Sequence, residues 1–187
     1  MRKTVPEITV KKDVQQAQLA LGFRTFGVKD RRRYALTVLD AVMGRGMLSR
    51  LFTELREKRG LSYDISSRVQ FFSDCGMWTV TAGMDAKNRE KALKTILREI
   101  DKVRTKKVPA AELKRVKEYL IGNFKLGHEK LTNKLFFYGS TVMAFGKIVT
   151  PQEQIEGVRS VTADEVLKVA QEVLTEENRA ISWVVPK

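Results

Sequence analysis

Two alternating runs joined by a short turn constrain this chain most. Tyr63, Ile65, Ser67, Val69 and Phe71 alternate with Ser62, Asp64, Ser66, Arg68 and Gln70. After Ser73-Asp74-Cys75-Gly76 the pattern resumes, with Trp78, Val80, Ala82 and Met84 on every second position. A period of two on both sides of a turn-prone break specifies an antiparallel hairpin with one apolar face. That face must be buried against a second layer.

The flanking segments supply the layer. Ala17, Leu19, Leu21 and Phe23 alternate with polar neighbours, which predicts another half-buried strand, and Glu7–Val10 reads as an edge strand. After a charged loop, Val28–Arg33, the run Tyr34–Met43 predicts a strongly apolar helix that stops at Gly44-Arg45-Gly46. Residues 47–59 predict a second helix, with Leu48, Leu51, Phe52 and Leu55 at helical spacing and Gly60 as its stop. Further helices are predicted over 87–106, from Pro109 (stripe Leu113, Val116, Leu120, Phe124), and around 130–145, where Leu135, Phe136, Val142 and Met143 carry the apolar character. Pro151 opens a short helix, Thr162 caps another running to about 174, and Asn178–Val185 closes with a strand. Strands in pairs and helices in blocks describe an α+β fold: two layers, a largely antiparallel sheet covered on one face by helices.

At 187 residues the chain is long enough for one domain with a real core, and no repeat or linker divides it. No apolar run is long enough to span a bilayer, and Met1–Glu7 lacks the apolar stretch of a signal peptide. The net charge of +13 raises a nucleic acid, a membrane surface or an acidic protein as partners. Basic residues are interleaved with Glu and Asp along nearly every helix, with no arginine-rich arm, which argues against specific nucleic-acid binding. The single cysteine, Cys75, excludes an internal disulfide.

Several chemistries fail on residue count. A catalytic zinc site uses three protein ligands, usually two of them histidines, and this chain has one histidine, His128. Serine and cysteine triads fail on the same count. Gly44-Arg45-Gly46 precedes a helix and offers an anion cradle, but it follows a helix and lacks the Gly-Lys-Ser/Thr ending of a nucleotide loop; a tight helix–helix corner is the stronger reading. Arg56 and Tyr63 remain, two long-reaching donors on either side of the Gly60 break. Their residue chemistry alone favours a structural reading: Arg56 paired with a carboxylate, and the Tyr63 ring packed in the sheet.

Met43-Gly44-Arg45-Gly46-Met47-Leu48-Ser49-Arg50-Leu51-Phe52, followed by Leu55–Tyr63, resembles the insulinase/pitrilysin family of zinc metallopeptidases, which includes the mitochondrial processing peptidase and the core proteins of the cytochrome bc1 complex. The likeness continues through Asp74-Cys75-Gly76 and Ala111–Lys117. It implies a processing-peptidase-like half-domain. Family members pair homologous α+β halves into a clamshell, one half carrying a His-x-x-Glu-His zinc motif. This chain lacks the motif and resembles the zinc-free half, with zinc expected in the partner.

In that half the resemblance gives Arg56 and Tyr63 the role of contacting the substrate backbone, and it makes Gly44, Arg45 and Gly46 a candidate substrate loop. The expected organisation is a single inactive domain over 1–187, the C-terminal half of a longer chain. The expected partners are a zinc-bearing homologous domain, a peptide substrate and a second copy of the chain. In a bacterial setting the compartment is periplasm or cytoplasm, with periplasm favoured. A non-catalytic assembly subunit on the same fold is the alternative.

Overall fold

The computed structural model describes residues 6–187. Five strands, β1 (Glu7–Lys12), β2 (Ala17–Phe26), β3 (Asp64–Phe71), β4 (Cys75–Met84) and β5 (Arg179–Pro186), form one sheet in the order β1-β5-β2-β4-β3. Three of its four pairings are antiparallel; β1 runs parallel to β5, with Glu7 opposite Ile181. The last strand therefore lies inside the sheet, between β1 and β2.

The alternation of each strand sorts its side chains between two faces. Leu19, Leu21 and Phe23, with Trp78, Val80, Ala82, Ile181 and Trp183, point into the core. Helices cover that face: α1 (Arg33–Met43), α2 (Arg89–Thr105), α3 (Ala110–Glu129), α4 (Leu131–Phe145), α5 (Pro151–Ser160) and α6 (Ala163–Val173). Helix α1 is central, packing against α3, α5, α6 and β3. Its Leu36, Val38, Leu39 and Met43 are buried. Helices α5 and α6 begin with reciprocal capping boxes, Thr150 with Glu153 and Thr162 with Glu165, which satisfy N–H groups that the first helical turn leaves without partners. This is the α+β architecture expected from the patterning, with one parallel edge pair added.

Two expectations need correction. The helix over 47–59 is not continuous: residues 44–49 are turns, and a helical turn starting at Arg50 widens into a π turn, Phe52–Glu57, in which the Lys58 N–H reaches back to the Thr53 carbonyl at 3.0 Å. Leu48, at the helical spacing, lies on the surface instead. Cys75 is not in the turn but is the first residue of β4, opposite Phe26. In α4, Leu135, Phe136, Val142 and Met143 all face solvent, while Phe137, Tyr138 and Thr141 form the face turned toward the protein.

Candidate functional site

The site is built at the end of α1 and the entry to β3. Asp40, on the buried side of α1, is its foundation. Its Oδ1 accepts hydrogen bonds from the Ser67 hydroxyl at 2.6 Å and the Trp78 indole N–H at 2.9 Å. Its Oδ2 lies 3.4 Å from Nε of Arg45 and has no hydrogen-bond partner among the described residues. Burial pushes the Asp40 pKa up, against the lowering pull of Ser67, Arg45 and Trp78. The carboxylate thus ties α1 to β3, to β4 and to the glycine corner.

The corner is packed tightly. The Ser67 N–H bonds the Gly44 carbonyl at 3.1 Å, and a Cβ on Gly44 would sit 2.6 Å from that same nitrogen. Gly46 has φ of +92°, a conformation that disfavours other residues, and lies against the Tyr119 hydroxyl. Arg50 then clamps Glu112 at the start of α3 with two bonds, of 2.9 and 2.7 Å. Gly44, Arg45 and Gly46 therefore form a fixed corner beside the π turn.

From this base the π turn presents Arg56. Glu54 draws in Lys58, Arg59 and Arg98 at 2.7, 3.5 and 3.8 Å, and the Lys58 hydrogen bond holds the Glu54 carboxyl below its usual range. Arg56 joins none of these pairs: it is exposed, makes no salt bridge among the described residues, and rests its guanidinium 5.1 Å from the Phe52 ring centroid. Gly60, at φ of +57°, ends the turn, and the Leu61 N–H closes onto the Leu55 carbonyl at 2.8 Å.

Tyr63 follows immediately. Strand alternation placed its ring with Ile65 in the core, but β3 begins only at Asp64. Ser62 turns inward instead, its hydroxyl bonding the Asp64 and Gly83 carbonyls at 2.6 and 2.9 Å. Tyr63 is left 55% exposed, anchored by its backbone N–H on the Gly83 carbonyl at 2.9 Å. The neighbouring Asp85 carboxylate, as an acceptor and a negative charge, raises the phenol pKa above its ordinary 10.0. Removing that carboxylate in Asp85→Ala is expected to bring the phenol back down toward 10.0, read by an NMR pH titration of the Tyr63 ring. An unchanged titration would show that Asp85 does not act on it.

Both parts of the structural reading of this pair therefore fail in the fold: Arg56 has no carboxylate partner among the described residues, and the Tyr63 ring is outside the core. Asp40, Asp85 and the Phe52 platform escaped sequence reasoning. Asp40 alone carried a signal, as a carboxylate on the apolar stripe between Leu36 and Met43.

Among the described residues, no three His, Cys, Asp or Glu side chains converge as a metal site. His128 stacks on Phe124 and meets Phe137 and Tyr138 edge-on, an aromatic cluster at the α3–α4 corner.

Residues 2–120 match the family described as the peptidase M16 inactive domain. The chain belongs to the M16 peptidase family. The match explains the missing zinc ligands, since this half of an M16 protein is the one that lacks them. The M16 chain is 34% identical over 167 residues to an uncharacterized zinc protease of Rickettsia felis, covering 89% of this chain and 40% of that protein. An uncharacterized zinc protease of Bacillus subtilis is 32% identical over 171 residues, 91% of this chain and 42% of its own length. The chain thus spans about two fifths of the length of these curated relatives. A conserved protein from Enterococcus faecalis superimposes with TM-score 0.88 at 26% identity, over 100% of this chain and 43% of that one. A peptidase M16 inactive domain from Pseudomonas fluorescens gives 0.86 at 19% identity, over 98% of this chain and 44% of that one, and shares the fold.

Proposed function

We propose that this M16 domain is the zinc-free half of a clamshell metallopeptidase, which binds the substrate peptide and completes the active site of a homologous zinc-bearing half. The observation that carries this reading is the pair of exposed donors, Arg56 without a carboxylate among the described residues and Tyr63 outside the core, both held beside the glycine corner. Arg56 stays charged at any working pH and can donate to a peptide carbonyl without being titrated away. Zinc belongs to the partner half in this reading, since among the described residues no three His, Cys, Asp or Glu side chains converge.

The pairing surface is supported by α4 and by the open face of the sheet. Leu135, Phe136 and Met143 are 70, 71 and 90% exposed. With Leu131 and Val142 they line one side of α4, an apolar patch larger than isolated surface residues explain. On the uncovered sheet face, Gly22 lies between Thr79 and Ala180, and Ala20 between Thr81 and Ser182, a shallow trough of small side chains. In this reading the homologous half brings its own helix and sheet face to the pairing. The relatives are long enough to contain such a half.

The test mixes the 187-residue chain with the zinc-bearing half of a relative and follows both binding and peptide cleavage. Wild type is expected to bind and to restore cleavage. Arg56→Ala and Tyr63→Phe are expected to bind normally and cleave more slowly. Leu135→Glu with Met143→Glu is expected to change the stability of the isolated domain by no more than about 0.5 kcal/mol while weakening pairing at least roughly tenfold. Pairing with cleavage unaffected by either Arg56→Ala or Tyr63→Phe would make the chain a structural subunit instead.

A further inference from the structure

A cleft of about 560 Å³ opens at the other end of α1, between the β2–α1 loop, the α4–α5 loop, α5 and α6. Helix α1 has 11 residues and is about 16 Å long, so this cleft is well removed from the glycine corner. Nothing in the proposed function uses it. Its volume lies in the range of small-molecule sites.

The charges lining it are unbalanced in a specific way. All three carboxylates are already engaged. Glu153 and Glu165 turn back to accept from the backbone N–H groups of Thr150 and Thr162 at 2.6 and 2.7 Å. Glu172 grips Nη1 of Arg32 with both oxygens, and Asp30 holds the other side of the same guanidinium. Of the six lining cations only Arg32 makes a salt bridge among the described residues; Arg33 is engaged by the Tyr34 hydroxyl, and Lys29, Arg31, Lys147 and Lys168 have no carboxylate partner there. Lys147 lies close enough to help lower the Glu153 pKa but beyond ion-pair range. The cleft carboxylates serve the fold, and the remaining cations are left without carboxylate partners, as most are among the described residues of this basic surface.

The wall is aromatic and apolar. The Arg33 guanidinium lies 4.3 Å from the Tyr34 ring centroid and 5.0 Å from that of Phe145, and it donates to the Tyr34 hydroxyl at 2.8 Å. Tyr34 in turn lies flat on Gly157, where a Cβ would meet ring carbons at 2.3 to 2.6 Å. Val149, Val161 and Val169 complete the lining.

We infer that this cleft binds a small organic dianion, a phosphate or dicarboxylate carried on a flat apolar body. The free cations stand on three separate elements and suit a ligand with more than one negative charge, while the aromatic wall and valines suit the body. The site is independent of the peptidase reading.

The probes are 1-naphthyl phosphate, naphthalene-1,4-dicarboxylate and inorganic phosphate, titrated into the 187-residue chain by calorimetry and by amide NMR. At least one naphthyl compound is expected to bind at least roughly tenfold tighter than inorganic phosphate, with shifts centred on Gly157, Val161 and Lys168. Tighter binding of the naphthyl phosphate points to a phosphoryl ligand, and tighter binding of the dicarboxylate to a carboxylate one. Lys147→Glu with Lys168→Glu, checked for folding by its amide spectrum, is expected to weaken binding roughly ten- to a hundredfold. The control, Lys91→Glu with Lys94→Glu on α2, changes the net charge equally and is expected to leave binding within about twofold. The inference is overturned by no binding, by naphthyl compounds no tighter than phosphate, by an equal loss in the control, or by shifts centred on Leu135 and Val142 of α4.

Discussion

Asp40→Ala is expected to destabilise the fold by roughly 2–4 kcal/mol, from a stranded buried donor and the volume removed. Among the described residues the Trp78 indole N–H has only the Asp40 carboxylate as its acceptor, and in the variant it would be buried without that partner. The Ser67 hydroxyl keeps a second acceptor, the Asp40 carbonyl at 3.2 Å, so its loss is smaller. Arg45 is released to solvent, which costs little for a partly exposed cation. Chemical denaturation of wild type and variant measures the difference, and a change under about 0.5 kcal/mol would mean that the carboxylate is not the anchor.

The pH dependence separates the charge from the hydrogen bonds. Burial raises the Asp40 pKa in the folded chain above its ordinary 3.8. Its contribution to stability is therefore complete below that ordinary value and declines as pH rises through the raised folded one. Asp40→Asn keeps an acceptor oxygen and cannot titrate. Its deficit relative to wild type is expected to be largest in acid and to shrink toward neutral pH.

The second large effect concerns turnover. In the proposed pairing with a zinc-bearing half, Arg56→Ala is expected to slow cleavage roughly 10²–10³-fold, the scale of about 2.7–4 kcal/mol found for a donor aimed at a developing oxyanion. The loss should fall mainly on kcat, because a donor that strengthens its bond only as charge develops adds little to ground-state binding. Tyr63→Phe removes a neutral donor neighbouring Asp85, and a loss up to about tenfold is expected. A loss confined to KM for both variants would assign them to substrate binding alone. Arg56→Lys keeps the charge and loses the planar fork, so partial rescue by lysine would show that charge rather than geometry is used.

Much of the fold was legible because its local signals agreed. The alternating runs gave β2, β3 and β4, and the glycine and threonine signals ended or began helices where the structure has them. What stayed hidden depended on partners distant in sequence. The π turn is one extra residue accommodated between the Arg50–Glu112 clamp and the Gly60 stop, and no local propensity records it. Tyr63 shares the parity of Ile65, and only the Gly83 carbonyl, which receives both the Tyr63 N–H and the Ser62 hydroxyl, shows that Ser62 turns in and the ring turns out. In α4 the apolar residues were evident, but a sequence does not say whether its own domain covers them. Arg56 and Tyr63 stood out as donors flanking Gly60, and family likeness gave them a role; that Arg56 has no carboxylate partner among the described residues came from the fold.

The position of β5 governs when this protein can acquire its structure during synthesis. The strand that joins β1 to the rest of the sheet is the last to be translated, and its register pairs Glu7 with Ile181. Until residues 179–186 clear the ribosome, β1 has no neighbour, and β2 exposes one edge with its hydrogen bonds unmade. Pairings between such distant residues close slowly. A nascent chain stalled before β5 would hold its helices beside an incomplete sheet with an open edge, a natural target for chaperones and proteases.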